Sequence, residues 1–145
     1  MPRYFTLAEA ERLLPAVERI LRDAVYQKTE FDGAEQELNN AVEKIRMSGG
    51  SRVNPGPILA HRARRDSSAK VLKENIERLE GMGVHIKDLD TGLIDFLTLY
   101  HDREVCLCWK LGEAGIHYWH GIDEGFRGRK QIDEEFRAHH EGEQE

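Results

Sequence analysis

Residues 93–111 read LIDFLTLYHDREVCLCWKL, and the side chains of this stretch follow the period of two that is typical of β-strands. The dipeptide His101-Asp102 interrupts the pattern where a two-residue hairpin loop fits. The stretch therefore predicts two antiparallel strands, Leu93–Tyr100 and Arg103–Leu111. Further strands are predicted over Val84–Leu89 and Ile116–Gly121, which gives a small meander of three to four strands.

The length of each loop sets which residues pair across the sheet. With His101-Asp102 as the first loop, the expected pairs are Tyr100 with Arg103, Phe96 with Leu107 and Ile94 with Trp109. With a four-residue loop at 112–115, they are Trp109 with Tyr118 and Leu107 with His120. One face is then the core, formed by Ile94, Phe96, Thr98, Tyr100, Val105, Leu107, Trp109, Leu111, Ile116 and Tyr118, with His120 at its edge. The other face is mixed and holds Asp95, Leu97, Leu99, Glu104, Cys106, Cys108, Lys110, His117 and Trp119. A slip of one residue in either loop would exchange the faces of the affected strand.

The residues before Gly81 have the spacing of helices. Thr6-Leu7-Ala8-Glu9 has the form of a capping box, in which the Thr6 hydroxyl accepts from the Glu9 amide and the Glu9 carboxylate accepts from the Thr6 amide. Pro15 lacks the donor that a helix interior needs. This leaves two outcomes, a short helix over about 7–13 followed by a restart, or one helix kinked near Pro15.

Apolar residues then continue in alternating steps of three and four as far as Ile45, with Lys28 and Glu35 as exceptions. Apolar residues at this spacing form a stripe along one face of the helix, here called the seam, and it needs a partner helix. The run 48–57, SGGSRVNPGP, ends the first helix, and a second helix is predicted from Ile58 or Ser67 to Glu80. We therefore expect an α+β fold, a long antiparallel helical hairpin packed on the small sheet. Because the second helix is shorter than the first, part of the seam has no partner within the hairpin. This predicts a homo-oligomer formed through the long helices.

The chain has 145 residues, 39% of them hydrophobic, which suits one domain. The expected domain covers 1–132, with the hairpin at about 6–81, the meander at about 84–121 and a Gly/Arg loop at 121–132. Residues 133–145 are expected to form a flexible acidic tail. The sequence contains no run of about 18 apolar residues and no signal-peptide pattern, so we expect a cytoplasmic protein with no membrane span.

The formal net charge of -6 argues against a general nucleic-acid-binding protein. The charge is segregated, however, because residues 9–43 hold nine acidic and four basic residues, whereas 52–73 holds six basic residues and Asp66 as its one acid. Those basic residues are Arg52, Arg62, Arg64, Arg65, Lys70 and Lys73. We favour pairing of the two stretches within the hairpin, and an anionic partner such as nucleic acid on 52–73 is the alternative.

Several strings resemble a bacterial family, DUF2203, a domain of unknown function. They are FTLAEA at 5–10, LLP at 13–15, KDL at 87–89, GLIDF at 92–96, VCLCWKLGE at 105–113, YWH at 118–120 and GFRGR at 125–129. The resemblance covers most of residues 5–132, and it implies no established activity.

The segment 121–129, GIDEGFRGR, is the strongest candidate for ligand binding. Its glycines let a backbone approach a ligand closely, and its arginines suit a carboxylate or phosphate. Together with the preceding strand it predicts a pocket around residues 117–129. The candidate ligand-binding residues are Asp95, Cys108, Trp119, His120, Arg127 and Arg129.

A metal site is the alternative, since imidazole and carboxylate ligands together suit a divalent transition metal. The candidate ligands are His117, His120, Asp123 and Glu124, with Asp95 and Cys108 as neighbours across the sheet. Cys106 and Cys108 are interpreted as small apolar side chains, because thiols two residues apart on a strand are badly placed for bridging. The sequence thus predicts a small ligand-binding or protein-interaction module. A metal-dependent enzyme or metal-binding protein is the alternative, and no catalytic residue is assigned.

Overall fold

The fold is a helical hairpin on an antiparallel sheet, which confirms the α+β prediction. A computed structural model describes residues 3–49 and 54–142. The elements are α1 (Leu7–Met47), α2 (Gly56–Gly81), β1 (Val84–Asp88), β2 (Leu93–Tyr100), β3 (Arg103–Lys110), β4 (Tyr118–Gly121), a 3-10 helix (Phe126–Gly128), β5 (Lys130–Gln131), α3 (Glu134–His139) and β6 (His140–Glu141).

Helix α1 runs without interruption through Pro15, so of the two outcomes left open the structure has one helix and not a short helix followed by a restart. Leu14 and Val17, on either side of the proline, are buried in the core, and their packing holds both segments in one helix. At the start of α1 the Thr6 hydroxyl accepts from the Glu9 amide at 3.1 Å, as the capping box predicts. The Glu9 carboxylate, however, accepts from the Thr6 hydroxyl instead of the Thr6 amide.

Opposite charges join α1 and α2, as we favoured for the acidic and basic stretches. Arg64 donates to Glu30 at 3.1 Å and to Glu37 at 3.0 Å, while Arg65 lies 3.5 Å from Glu35. Helix α2 begins at Gly56, earlier than either predicted start. Within the described residues Arg62 and Lys70 form no ion pair, and Arg52 lies outside those residues.

The sheet has the order β1-β2-β3-β4-β5, with every pair antiparallel, and β6 pairs with β2. It therefore has more strands than the predicted meander of three to four. The pairs between β2 and β3 are the predicted ones: Tyr100 with Arg103, Phe96 with Leu107 and Ile94 with Trp109. His101 and Asp102 adopt φ values of 50° and 61°, the left-handed conformation that a two-residue hairpin loop requires.

The core lies between one face of the sheet and the first half of α1. Its fully buried large side chains include Phe5, Leu21, Phe96, Leu107 and Trp109. Farther along the hairpin, Phe31, Ala69, Leu72 and Ile76 form an open apolar groove of about 480 Å³. Self-association through the hairpin stays a prediction. In the described parts of the chain, neither long helix carries the continuous apolar sequence that membrane crossing requires.

Residues 133–142 include α3 and β6 and pack on the body of the protein; the flexibility of the tail stays a prediction, and residues 143–145 lie outside the described residues. Phe136 is fully buried, with its ring 5.0 Å from Trp119 and 5.2 Å from His140. His140 Nδ1 faces the Phe136 carbonyl, and its Nε2 accepts from the Leu7 amide at 2.9 Å. An imidazole from the end of the chain thus caps a free amide in the first turn of α1.

Replacing His140 with alanine is expected to lower the free energy of unfolding by about 1–2 kcal/mol, because the Leu7 amide loses its acceptor. Urea unfolding followed by circular dichroism measures this change. His139→Ala is the matched control, since His139 is exposed, and it should cost less than about 0.5 kcal/mol. Equal losses in the two variants would contradict the capping role of His140.

Candidate functional site

The pairing of β4 with β3 decides which side chains meet on the outer face of the sheet. Cys106 pairs with His120, Leu107 with Trp119 and Cys108 with Tyr118. These pairs are shifted by one residue from the predicted ones, because the connection spans 111–117 instead of 112–115. His120 and Tyr118 therefore share the face of Asp95 and the two cysteines, and Trp119 points to the core.

Asp95 lies at the centre of this face and is 1% exposed. Its Oδ1 is 3.0 Å from His120 Nε2, whereas its Oδ2 is buried and has no hydrogen-bond partner among the described residues. A buried carboxylate oxygen normally has a partner, since an unsatisfied one costs free energy. Asp95 is therefore the polar group at which a bound species is most expected.

The other ring nitrogen fixes the tautomer of His120. Nδ1 is 2.8 Å from the Gly121 carbonyl oxygen, which can only accept, so Nδ1 carries a proton. In a neutral ring Nε2 then presents its lone pair to the Asp95 carboxylate, and two acceptors face each other. A positive species, either a proton or a cation, is needed between Nε2 and Oδ1.

Cys106 completes the cluster. One ligand atom each from Asp95, Cys106 and His120 lie within 4.8 Å of one another, and all three residues are buried. Burial, together with the negative charge of Asp95, raises the pKa of both Cys106 and Cys108 to about 12. Without a bound cation, both thiols are accordingly neutral near pH 7 and are not activated nucleophiles.

A groove of about 530 Å³ opens above the cluster. Asp95, Cys106 and His120 line it, and its walls come from β1, β2, β3 and the loop after β4. The wall residues are His85, Lys87, Leu93, Leu97, Glu104, Ile122, Glu124, Gly125 and Phe126. Part of the predicted pocket at 117–129 is therefore present, with its floor formed by β2 and β3.

The Gly/Arg loop is held in place by Arg129. Its guanidinium donates to Glu113 at 2.6 Å and lies 4.1 Å from the centre of the Tyr118 ring and 4.6 Å from that of Phe126. Glu113 also accepts from the Lys110 amide at 2.6 Å. Arg129, predicted as a ligand-binding residue, thus joins the loops on either side of β4, while Arg127 is exposed.

The residues predicted as metal ligands divide into two sets. His120 lies in the cluster with Asp95, whereas His117, Asp123 and Glu124 do not. Glu124 accepts from Lys130 at 2.6 Å and from the Gly121 amide at 2.9 Å, and these two hydrogen bonds hold its pKa below the usual value.

Among the predicted ligand-binding residues, Asp95 and His120 meet at the cluster. Cys108 is buried directly opposite Asp95 in the β2–β3 pair, and Trp119 faces away. Sequence reasoning missed Cys106 as a site residue. The alternation of side chains along β3 already places Cys106 on the same face of the sheet as Asp95. The predicted register of β4, however, paired His120 with Leu107 instead of Cys106.

Replacing Arg129 with methionine is expected to lower the free energy of unfolding by about 2–4 kcal/mol, because Glu113 keeps a poorly solvated charge without its partner. Arg127→Met removes an exposed guanidinium from the same loop and should cost less than about 0.5 kcal/mol. Thermal and urea unfolding of both variants test this difference. A neutral Arg129→Met variant would show that the ion pair does not hold the loop.

A family model matches residues 3–132 of the chain, that of DUF2203, described as an uncharacterized conserved protein. The match includes the hairpin, the cluster and the Gly/Arg loop, and it ends before α3 and β6. No curated protein and no solved structure matches the chain. The chain belongs to the DUF2203 family.

Proposed function

We propose that this protein binds a divalent transition metal, zinc above all, through Asp95, Cys106 and His120. The observation that carries the proposal is the convergence of three buried ligand atoms around a carboxylate whose Oδ2 has no partner within the described residues. Buried carboxylates are normally paired, and a metal ion is one partner that stabilises them. This centre replaces the predicted set of His117, His120, Asp123 and Glu124, from which it keeps His120.

The orientation of His120 supports the proposal. Histidines that bind a metal usually donate their other ring N–H to a carbonyl or carboxylate, which fixes the ring and its tautomer. The contact between Nδ1 and the Gly121 carbonyl has this form. It leaves the Nε2 lone pair directed at Asp95, where a metal ion would bind both atoms in place of a shared proton.

The ligand types favour zinc over the hard cations. Mg²⁺ and Ca²⁺ prefer oxygen ligands, whereas thiolate and imidazole suit Zn²⁺ and its neighbours in the first transition row. Zinc bonds of about 2.0–2.3 Å hold ligand atoms roughly 3–4 Å apart, so a small contraction of the cluster is enough. Three protein ligands are the number found in zinc sites that keep a position free for water or substrate.

Cobalt binding tests the proposal, because Co²⁺ accepts the same ligands as zinc and a cobalt–thiolate bond absorbs in the near ultraviolet. Protein purified without a polyhistidine tag is expected to take up one Co²⁺ with this absorption and to lose it to Zn²⁺. Elemental analysis of the untreated protein gives the native metal. Absence of stoichiometric binding of either ion would overturn the proposal.

Cys106→Ser is expected to abolish the thiolate absorption. Cys108→Ser is the matched control, since Cys108 lies two residues along the same strand and outside the cluster of three, and it should retain the absorption. Asp95→Asn keeps the shape of the side chain and should retain the absorption with at least about tenfold weaker binding. Loss of absorption in Cys108→Ser but not in Cys106→Ser would contradict the assigned ligand set.

A further inference from the structure

We infer that the groove above Asp95, Cys106 and His120 binds a small monocarboxylate with an apolar body, whose carboxylate takes the free position on the metal. The inference rests on the proposed metal centre and names the class of molecule that the centre would receive. The groove volume of about 530 Å³ lies within the roughly 300–1,000 Å³ that is typical of small-molecule sites.

The apolar side chains in the walls of the groove favour a ligand with an apolar body. Ile122 and Phe126, on the loop after β4, are 50% and 44% exposed and are among the few large hydrophobic side chains that the described residues leave in solvent. Both line the groove, and Leu93 and Leu97 line it from β2. A bound hydrocarbon or aryl group would bury these side chains and gain the free energy of removing them from water.

The rim of the groove carries charges of both signs, and its unpaired cation is Lys87. Lys87 lines the groove from β1 and forms no ion pair with another described residue. Of the acids on the opposite rim, Glu124 is paired with Lys130, whereas Glu104 accepts from the Tyr4 hydroxyl and has no cation paired with it among the described residues.

The metal and Lys87 together favour a singly charged anion. A divalent metal bound by the Asp95 carboxylate and a Cys106 thiolate is neutral overall, while Lys87 lies on one side of the groove and Glu104 on the other. A carboxylate can bind the metal beside Lys87 with one negative charge, whereas a phosphate dianion would bring twice that charge close to Glu104. His85 lines the same side of the groove from β1.

Titration of cobalt-loaded protein with 3-phenylpropionate tests the inference. The visible absorption of Co²⁺ responds to a new ligand, and we expect a saturable change. Acetate lacks the apolar body and should bind at least about tenfold more weakly. The alcohol 3-phenylpropan-1-ol lacks the anionic head and should leave the cobalt spectrum unchanged.

Two variants test separately the contact of the carboxylate with Lys87 and the contact of the apolar body with Phe126. Lys87→Met is expected to weaken 3-phenylpropionate about five- to tenfold, while Lys70→Met, on the exposed face of α2, should leave its binding unchanged. Phe126→Ala should weaken 3-phenylpropionate and leave acetate unaffected. Equal effects of Lys87→Met and Lys70→Met would contradict the role of Lys87.

The outcomes distinguish this inference from the proposed function. Failure of Co²⁺ to bind through Cys106 removes both. If Co²⁺ binds through Cys106 and 3-phenylpropionate leaves its spectrum unchanged, the metal centre stands and the inference is overturned. Equal affinity of 3-phenylpropionate for metal-free and loaded protein, measured by the NMR shifts of the Ile122 and Phe126 amides, also overturns it, because the metal would then not be the anchor.

Discussion

Side chains on a β-strand alternate between two faces, and one face of this sheet has to be buried under α1. Phe96 and Leu107 take that side, so Asp95 and Cys106, their neighbours along the strands, must point the other way. The loop that follows β4 forms one wall of the groove over this second face, at whose floor Asp95 is buried. The burial of an apolar core on one side thus places a carboxylate in a nearly dry environment on the other.

The loops that flank β4 are held in place by polar contacts. Glu113 and Arg129 join the two loops that flank β4, and Tyr118 and Phe126 pack on the guanidinium. Because both loops are fixed at one point, β4 keeps the register that sets His120 opposite Cys106. Arg129 and Glu113 are therefore best understood as positioning residues, and Asp95, Cys106 and His120 as the residues of the proposed site.

Most of the fold could be predicted from the sequence, because the hydrophobic periodicity, the helix caps and the loop residues depend on residues that are close together in the chain. The His101-Asp102 loop leaves little freedom, so the register of β2 with β3 is correct throughout. The connection from β3 to β4 is longer and has several acceptable lengths, and an error of one residue there moved His120 to the wrong face. The candidate site depends on this pairing, so the sequence predicts Asp95 and His120 as candidate residues but not their contact with Cys106.

The contacts of the tail could not be predicted for a different physical reason. Its composition is acidic, and composition describes solvation but not the single Phe136 side chain that anchors the segment between Trp119 and His140. The start of α1 was predicted from its capping box, yet the partner of the Leu7 amide lies 133 residues away in the chain. No local sequence pattern predicts a hydrogen bond between two residues that lie so far apart in the chain.

That contact has a dynamic consequence. The Leu7 amide is protected from solvent by an acceptor that belongs to the tail, so it becomes exposed whenever the tail lifts, even while α1 remains helical. Local opening at the two ends of the described chain is therefore one event rather than two. The hydrogen-exchange rate of this single amide reports how often residues 133–142 leave the sheet, independently of global unfolding.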